Sequence, residues 1–313
     1  MKKESKKYQK PFKERVVRDF KMNKAVYLML LPVIIYFVVY HYFPMIGLVA
    51  AFQDYKIKLG YLHSHFVGLK HFKRFFESIY AWRLIKNTFL ISIKDIVWSY
   101  PLTIGFALLL NEVRNKGFKK FVQTVSYLPH FISMVVVCGL VMDFCKKGGI
   151  LSIIVSFFTG TESSLLTEAG NFQGIFVGSG IWQGIGYGTI VYLSAISAIS
   201  PELYEAAKVD GAGRLRQTWH ITLPGILPTV VIMLILRVGS IMSVSYQKII
   251  LLYSPAVYET ADVISSYVYR VGIAEGAEYS FSSAVGLFQS VVNLALIVIA
   301  NKISAKVTET SLW

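Results

Sequence analysis

Residues 200–228, SPELYEAAKVDGAGRLRQTWHITLPGILP, form the most polar stretch between two strongly apolar runs. Ser200 is a favourable helix N-cap, the proline after it suits a first helical turn, and acids follow where the helix dipole is positive. Gly211 or Gly213 can take the left-handed position that ends a helix, and residues 215–221 can form a second short helix. The stretch therefore predicts a helix, a glycine turn and a second helix that leads back into an apolar run.

The composition indicates a membrane protein. Of the 313 residues, 54% are hydrophobic and 16% are charged, and the mean hydropathy is +0.53, whereas soluble domains carry about 25% charged residues. A membrane-spanning helix needs about 20 mostly apolar residues. Six runs fit, and long strand patterns bounded by turns are absent, so the predicted fold is an all-α membrane protein with about six transmembrane helices. The runs are residues 25–47, 84–110, 121–141, 174–198, 226–241 (with an extension to 252 left open) and 281–300.

The charge distribution predicts how the chain is oriented. The first 24 residues contain ten Lys or Arg, and the positive-inside rule places this tail in the cytoplasm. Six spans then place the C-terminus in the cytoplasm as well. The loop 53–83 is basic although it must lie outside, where the rule is weaker for long loops. Most of the net charge of +14 then meets anionic lipid headgroups of the cell membrane, and no nucleic-acid recognition module is visible.

The polar stretch has the chemistry of a docking element. Ala206 and Ala207 are small enough for another surface to approach the helix backbone closely. Charged residues around them (Glu205, Lys208, Asp210 and Arg214) can form a polar rim. A capped helix at the membrane interface with no partner would have the same residues, so these residues alone leave both interpretations open.

A family resemblance favours docking. The pattern Glu205-Ala206-Ala207, Asp210-Gly211-Ala212, Leu223-Pro224, together with Trp219, Ile221 and Pro228, closely resembles the EAA loop of type I ABC importer permeases. In that family the loop forms coupling helices that sit in a groove on the ATP-binding subunit. The resemblance implies that the loop at 200–224 contacts an ATPase chiefly through Glu205, Ala206, Ala207, Asp210, Gly211 and Ala212.

The resemblance covers nearly the whole chain. Asn87-Thr88 opens the second span as in sugar permeases, and YQKIILLYSP (246–255) is similar to the stretch after the fifth span of those proteins. VYETADVISSYVYRVG, SSAVGLFQSVVNLALIVIANKIS and the terminal SLW resemble the LplB-like branch, permeases for complex oligosaccharides. The implied partners are a second homologous permease, two ATP-binding subunits, an extracellular solute-binding protein and a saccharide cargo.

The resemblance also implies a division of the chain. A basic cytoplasmic tail (1–24) is followed by a first transmembrane helix with an extracellular loop (25–83). The type I ABC transmembrane domain occupies residues 84–305, and residues 306–313 form a C-terminal tail.

The chain has no means of binding ATP through a P-loop. That motif needs G-x-x-x-x-G-K-[ST], and no Gly-Lys dipeptide occurs in the sequence. ATP and Mg are therefore expected on the partner ATPase, with no cofactor on this chain and no enzymatic activity of its own. The two cysteines, Cys138 and Cys145, form no C-x-x-C pair, so neither a redox motif nor a metal site is predicted.

Three charged residues fall inside predicted spans: Lys94, Asp95 and Arg237. Ionisable groups are costly in lipid and usually face a bundle interior or a cavity, which suggests a role in a pore or between helices. Snorkelling side chains, or a structural salt bridge in which Arg237 reaches Asp95, would explain them equally well.

A saccharide pathway needs hydrogen-bonding groups and flat apolar faces. The candidates are Trp182, Gln183, Tyr187, Ser240, Ser243, Tyr246, Gln289 and Asn293. The last two are four residues apart, so they share one helix face. Ordinary hydrogen bonding between helices is the alternative for each of them.

The mechanism that the resemblance implies is alternating access driven by the separate ATPase. One alternative is the same family with a different cargo, such as glycerol phosphate or a peptide. Another is a self-contained secondary carrier or a membrane enzyme. A lone carrier should show repeats with paired intramembrane acids, and Asp95 is the one clear acid in a predicted span. An enzyme should show a convergent set of His or acidic residues, which the sequence does not display.

Overall fold

The computed structural model describes residues 19–160, 163–307 and 310–313. Its helices in chain order are α1 (Lys24–Phe52), α2 (Lys70–Glu77), α3 (Ala81–Glu112), α4 (Lys116–Tyr127), α5 (Met134–Cys145), α6 (Ile150–Thr159), α7 (Ala169–Ser197), α8 (Pro201–Val209), α9 (Arg214–Gly239), α10 (Tyr246–Leu252), α11 (Ile264–Tyr269) and α12 (Tyr279–Val307). Short helical turns occupy Gly60–His63, Leu128–Phe131, Leu165–Thr167, Pro255–Val257, Tyr258–Ala261 and Arg270–Ala274. Strands β1 (Gln53–Asp54) and β2 (His65–Phe66) pair antiparallel in the loop before α2. The all-α class predicted from the sequence is confirmed.

Four helices of the described chain are long and apolar enough to cross a membrane, namely α1, α3, α9 and α12. Helix α7 has 29 residues and contains the predicted span at 174–198 except for its last residue. It falls outside this group because seven glycines and two glutamines lower its hydropathy. Its polar groups therefore need partners within the protein, where lipid offers none.

The predicted third span, 121–141, is wrong as a single helix. Helix α4 ends at Tyr127, and the segments Lys116–Phe131 and Met134–Thr159 are bent by 101° relative to each other. Pro129 lies in the turn Leu128–Phe131 that ends the first segment, where it lacks an amide hydrogen and resists continuation of the helix. Ser133 then starts α5 as its N-cap, where its hydroxyl accepts a hydrogen bond from the amide of Val136. If the bent pair is one span, the described chain has up to five.

The fifth predicted span does not continue to residue 252 as one helix. Helix α9 ends at Gly239, an irregular segment follows at 240–245, and α10 begins at Tyr246 with Ser245 as its N-cap. The apolar sequence therefore forms two helices with an unwound connection between them.

Two clusters of buried apolar side chains form the core. One lies among α3, α5, α7, α10 and the segment after α10, and it includes Phe172, Ile249 and Val263. The other lies among α2, α3, α11 and α12, around Phe75 and Phe281. Helix α1 contributes little, because none of the residues in its spanning window is buried. Its last turns, Phe43–Phe52, pack on α12.

Long-range polar contacts join the segments at the N-terminal end of α3. The guanidinium of Arg74 binds both carboxylate oxygens of Glu278, at 2.6 and 3.1 Å. The Asn87 side-chain amide donates to the backbone carbonyls of Glu259 and Asp262, at 2.9 and 3.0 Å. The Thr88 hydroxyl accepts from the amide of Ile264 at 3.1 Å. The Asn87-Thr88 pair therefore fixes the loop between α10 and α11 against α3.

Candidate functional site

A helix–turn–helix segment joins α7 to α9. Helix α8 follows Ser200, which occupies the N-cap position but makes no side-chain hydrogen bond to the helix, and Pro201 opens the first turn. Glu202 lies in the first turn and Lys208 in the last, which is the arrangement that the helix dipole favours. The ends of α8 are therefore stabilised by proline and charge, and the hydroxyl cap expected of Ser200 is absent.

Gly211 ends α8 in a left-handed conformation, with φ of +75°. The amide of Ala212 donates to the carbonyl of Ala207 at 2.8 Å, and the amide of Gly211 donates to that of Lys208 at 3.0 Å. This pair of bonds defines a Schellman motif, which favours glycine because any side chain would be strained there. The predicted glycine turn is confirmed at Gly211, since Gly213 has an ordinary φ of −68°.

The turn is attached to the helices on either side. The hydroxyl of Tyr204 lies 3.0 Å from that of Thr222, and the guanidinium of Arg214 lies 3.6 Å from the carboxylate of Glu112, the last residue of α3. The second short helix predicted at 215–221 is not separate. It is the start of α9, which continues through a π-helical turn to Gly239. Helix α8 therefore contacts α9 through Tyr204, and the start of α9 contacts the end of α3 through Arg214.

The segment 203–215 runs from α8 through the glycine turn into the start of α9 and is here named the coupling surface. Three apolar side chains on it are strongly exposed: Val209 at 89%, Leu215 at 79% and Leu203 at 53%. Exposed apolar groups with a charged rim are typical of protein–protein contact sites. Of the predicted contact residues, the half-buried ones are Ala207 and Ala212, and the exposed ones are Glu205, Ala206, Asp210 and Gly211. The two half-buried alanines are those joined by the Schellman hydrogen bond, so they shape the turn as well as flank the surface.

A cavity of about 340 Å³ lies between α3, α7, α9 and the segment that joins α9 to α10. Helix α7 lines it with small residues, among them Gly180, Gly184 and Gly188. A Cβ atom at Gly188 would lie 3.0 Å from Thr103 of α3, and one at Gly180 would lie 3.3 Å from the Lys248 ammonium. The glycines of α7 therefore permit the close approach of α3 and α10 around the cavity.

The unwound segment 240–245 forms one wall of this cavity, and α12 satisfies its backbone. The side chain of Gln289 donates to the carbonyl of Met242 at 2.6 Å. The side chain of Asn293 accepts from the amide of Met242 at 3.0 Å and donates to the Ser243 hydroxyl at 2.8 Å. Irregular backbone is tolerated at membrane depth where the protein supplies such partners. Gln289 and Asn293 share one helix face, as the sequence predicts, and both bond between helices.

Asp95 and Arg237 meet in the cavity. The Arg237 Nη1 donates to Asp95 Oδ2 at 2.7 Å, and the two side chains are 48% and 27% exposed. The sequence left open whether these two residues form a structural salt bridge or line a pore. The salt bridge is present, and the pair also lines the cavity. Lys94, next in sequence to Asp95, points elsewhere and donates to the Gln173 side chain of α7 at 2.8 Å.

The structure separates the predicted pathway residues into two groups. Gln183, Ser240 and Ser243 line the cavity. Trp182 is 43% exposed and borders two apolar grooves instead.

Two tyrosines of the predicted set also lie outside the cavity lining. Tyr187 stacks on His130 with ring centroids 3.9 Å apart, and Tyr246 stacks on Tyr269 at 5.2 Å. The one-residue offset between Trp182 and Gln183 turns them to different faces of α7, so sequence neighbours do not share a surface. Which of the predicted residues contact cargo stays a prediction.

Lys248 was missed by sequence reasoning. It is buried at 4% exposure, lines the cavity from α10, donates to the backbone carbonyl of Phe176 at 2.7 Å and lies 4.5 Å from the centre of that ring. Tyr100 and Tyr192 were missed too, and they meet edge to face at 6.3 Å in the cavity wall. The one sequence signal for this site is a lone lysine just after an apolar run. The same signal is typical of a residue at the membrane interface, so it does not identify a cavity.

Polar clusters outside the spans stabilise the other end of the bundle. Asp262 is fully buried, and Arg270 binds it at 2.6 and 3.2 Å. Burial opposes the charge of Arg270, but the hydrogen bonds to Asp262 outweigh it and raise its pKa. Between β1 and the start of α2, the hydrogen bond from Lys70 lowers the pKa of Asp54, and His71 lies 3.2 Å from the same carboxylate.

The fold is that of a multi-pass membrane protein with several long apolar helices, and comparisons with known proteins show its family. Residues 99–309 match the family described as the binding-protein-dependent transport system inner membrane component. The chain is 42% identical over 307 residues to the polygalacturonan/rhamnogalacturonan transport system permease protein YteP of Bacillus subtilis (98% of this chain, 95% of the relative). It is 40% identical over 294 residues to protein LplB of the same organism (94% and 92%).

A solved structure is similar over nearly its whole length. A crystal structure of a bacterial alginate ABC transporter, in complex with a periplasmic protein bound to an alginate pentasaccharide, contains a chain 43% identical to this one, with a TM-score of 0.86. The match covers 95% of this chain and 100% of that one. This chain therefore belongs to the family of binding-protein-dependent inner membrane transport components. It has the type I ABC permease fold and is a multi-pass membrane protein.

Proposed function

We propose that this chain is the permease subunit of an ABC importer that carries a complex oligosaccharide inward across the cell membrane. It pairs with a second homologous permease, two ATP-binding subunits and an extracellular solute-binding protein. The observation that best supports this proposal is the connection between the coupling surface and the cavity. The surface continues into α9 and is tied by Arg214 and Glu112 to α3, and the same two helices bring Arg237 and Asp95 to the cavity.

The proposed cycle is alternating access with both termini in the cytoplasm. ATP and Mg bind to the ATP-binding subunits, and closure of those subunits moves the coupling surface. The movement passes along α9 and α3 and opens the cavity outward to accept cargo, and hydrolysis returns it to the inward state. This chain contributes the pathway and no covalent chemistry.

The saccharide cargo is supported by the relatives and by the cavity lining. YteP is named for polygalacturonan and rhamnogalacturonan, and the similar solved structure is that of an alginate transporter. The cavity offers the Gln183 amide, serine hydroxyls and two tyrosine rings, which suit the hydroxyls and flat faces of sugar rings. A different cargo in the same family is the alternative, and the ligand of the cognate binding protein decides between them.

Affinity purification from native membranes in mild detergent tests the assembly. A second permease and an ATP-binding subunit should copurify with the chain. Repeated recovery of the intact chain alone would instead support a self-contained carrier and leave the coupling surface without a role.

Two substitutions on the coupling surface test the transmission of force. Gly211→Val places a β-branched side chain at φ of +75°, a strain of about 1–3 kcal/mol in the turn. Glu205→Arg reverses a charge on the rim. Both variants should insert normally but lose saccharide uptake, and ATP hydrolysis should no longer respond to the loaded binding protein.

The matched control is Gly213→Ala, because that position has an ordinary φ and no atom within 4 Å of the added Cβ. Normal uptake by both Gly211→Val and Glu205→Arg would contradict the proposed role of the coupling surface.

A further inference from the structure

The charges that line the cavity do not balance. Its ionised side chains are Asp95, Arg237 and Lys248, one acid against two bases. Asp95 is already paired with Arg237 at 2.7 Å. The cavity therefore carries an excess positive charge at Lys248.

Lys248 has no acidic partner among the described residues. Its ammonium donates to the Phe176 carbonyl at 2.7 Å and lies over the Phe176 ring, and no carboxylate lies within 4 Å. A buried charge without an ionic partner is costly. The side chain also has further N–H donors beyond the one that Phe176 uses. An anion that enters the cavity would offset the cost and occupy those donors.

Arg237 can serve the same anion. It uses one N–H for Asp95, its side chain is 48% exposed, and it makes no other hydrogen bond within the described chain. A guanidinium has five N–H donors in a planar fork that matches a carboxylate. The Asp95 contact leaves most of that fork available and holds it toward the cavity.

Neutral groups beside these cations suit a sugar ring. The Gln183 side chain lines the cavity and has no hydrogen-bond partner among the described residues, so its amide is available to hydroxyl groups. Tyr192 contributes an aromatic ring to the same wall. A ligand that satisfies both sets of groups has hydroxyls and a carboxylate.

We propose that Lys248 and Arg237 form a carboxylate-binding site in the cavity that selects saccharides containing uronic acids. This inference rests on the proposed function and specifies its cargo class. Lys248 supplies the uncompensated charge, Arg237 the planar fork, and Asp95 holds Arg237 in position. A neutral oligosaccharide would leave the excess charge unpaired, so the site favours charged cargo over neutral cargo.

Equilibrium binding to the purified transporter complex tests the site. The probes are radiolabelled trimers of galacturonate and of mannuronate, each as the free acid and as the methyl ester. The ester keeps the ring and hydroxyls but removes the charge. The wild-type complex should bind at least one acid about tenfold or more tighter than its ester, the expected difference for hydrogen bonds to a charged partner.

Three variants distinguish the site from general damage. Lys248→Met keeps the side-chain length and removes the charge, and it should reduce the acid-to-ester affinity ratio about tenfold. Asp95→Asn with Arg237→Gln removes the pair without changing net charge and should also lower the ratio. It keeps the proposal testable if Lys248→Met fails to assemble. Lys86→Met is the matched control, because Lys86 is exposed on α3 and does not line the cavity.

Each of the remaining experimental outcomes contradicts a specific part of the proposal. A wild-type complex that binds ester and acid equally overturns the uronate site but leaves the saccharide importer in place. A Lys248→Met variant with an unchanged ratio, or with the same ratio as Lys86→Met, assigns Lys248 to packing alone. A wild-type complex that binds none of the four trimers overturns the uronate site, and the ligand of the cognate binding protein then decides whether the cargo is another saccharide.

Discussion

Replacing Gly186 by alanine tests the packing that holds the broken third span against α7. An added Cβ atom at Gly186 would lie 2.2 Å from the backbone oxygen of Ser126 and 2.4 Å from its carbonyl carbon. Ordinary contact begins near 3.4 Å, so α4 would have to move by about 1 Å at its last turn. A side-chain rotation cannot relieve the clash, because the nearest atoms belong to the backbone. The turn that contains Pro129 follows immediately and restricts the movement.

The magnitude follows from two opposing effects. Forced overpacking of this kind costs about 1–3 kcal/mol of unfolding free energy. Alanine is also the better helix former and returns about 0.5–1 kcal/mol. Gly178→Ala is the matched control on α7, where no atom lies within 4 Å of the new Cβ and only the favourable effect operates. Gly186→Ala should therefore be less stable than Gly178→Ala by about 1–3 kcal/mol.

The measurement is the unfolding free energy of each purified variant in mixed SDS and mild detergent, followed by the loss of helical circular dichroism. Saccharide uptake should fall in parallel for Gly186→Ala, since α7 also lines the cavity. Equal stability of the two variants would refute the reasoning, because it would mean that α4 and α7 do not approach as closely as the structure places them.

Two further predictions concern the polar clusters at the end of the bundle away from the coupling surface. Asp262→Ala leaves the buried Arg270 without its acid and should cost about 3–5 kcal/mol of unfolding free energy. Asp143→Ala removes an exposed pair and should cost about 0–1 kcal/mol; similar losses in the two variants would contradict the role of burial. Because the hydrogen bond from Lys70 depresses the pKa of Asp54 below 3.8, the stabilisation from this pair is present at neutral pH and is lost as the pH falls through the folded-state pKa. The difference in unfolding free energy between the wild type and Asp54→Asn should therefore shrink below pH 3.8, and a difference that grows on acidification would contradict the assignment.

The coupling surface shows which local structures can be predicted from neighbouring residues in the sequence. A proline start, acids in the first turn and glycines after the last apolar residue act through neighbouring residues alone, so the helix and its glycine turn were predictable. The choice between Gly211 and Gly213 was not, because both residues tolerate a left-handed backbone. The structure selects Gly211 through the hydrogen bond from Ala212 to Ala207.

The broken third span shows what local sequence cannot predict, namely whether a long apolar run forms one continuous helix or bends. Pro32 and Pro101 lie inside continuous helices, whereas Pro129 lies at a bend. A proline in an apolar run is compatible with either result, since neighbouring helices can satisfy the freed backbone groups. The bend at Pro129 is accompanied by the serine cap that follows it and by the close contact between Ser126 and Gly186. That contact joins residues far apart in the sequence.

The sequence by itself determined that this chain lies in the membrane, that it is all-α and which family it resembles; the contact of residues 200–224 with an ATPase stays a prediction. These properties depend on composition, run length and a local motif. Only the tertiary structure decided which polar side chains meet in the cavity. Helical spacing shows which residues share a face, as for Gln289 and Asn293, but not what that face contacts. Asp95 and Arg237 were recognised as unusual, yet their pairing and the position of Lys248 in the wall of the same cavity depend on how α3, α9 and α10 are rotated about their axes. In lipid, polar groups that bond between helices and polar groups that bind cargo are chemically the same, so their function depends on the packing around them.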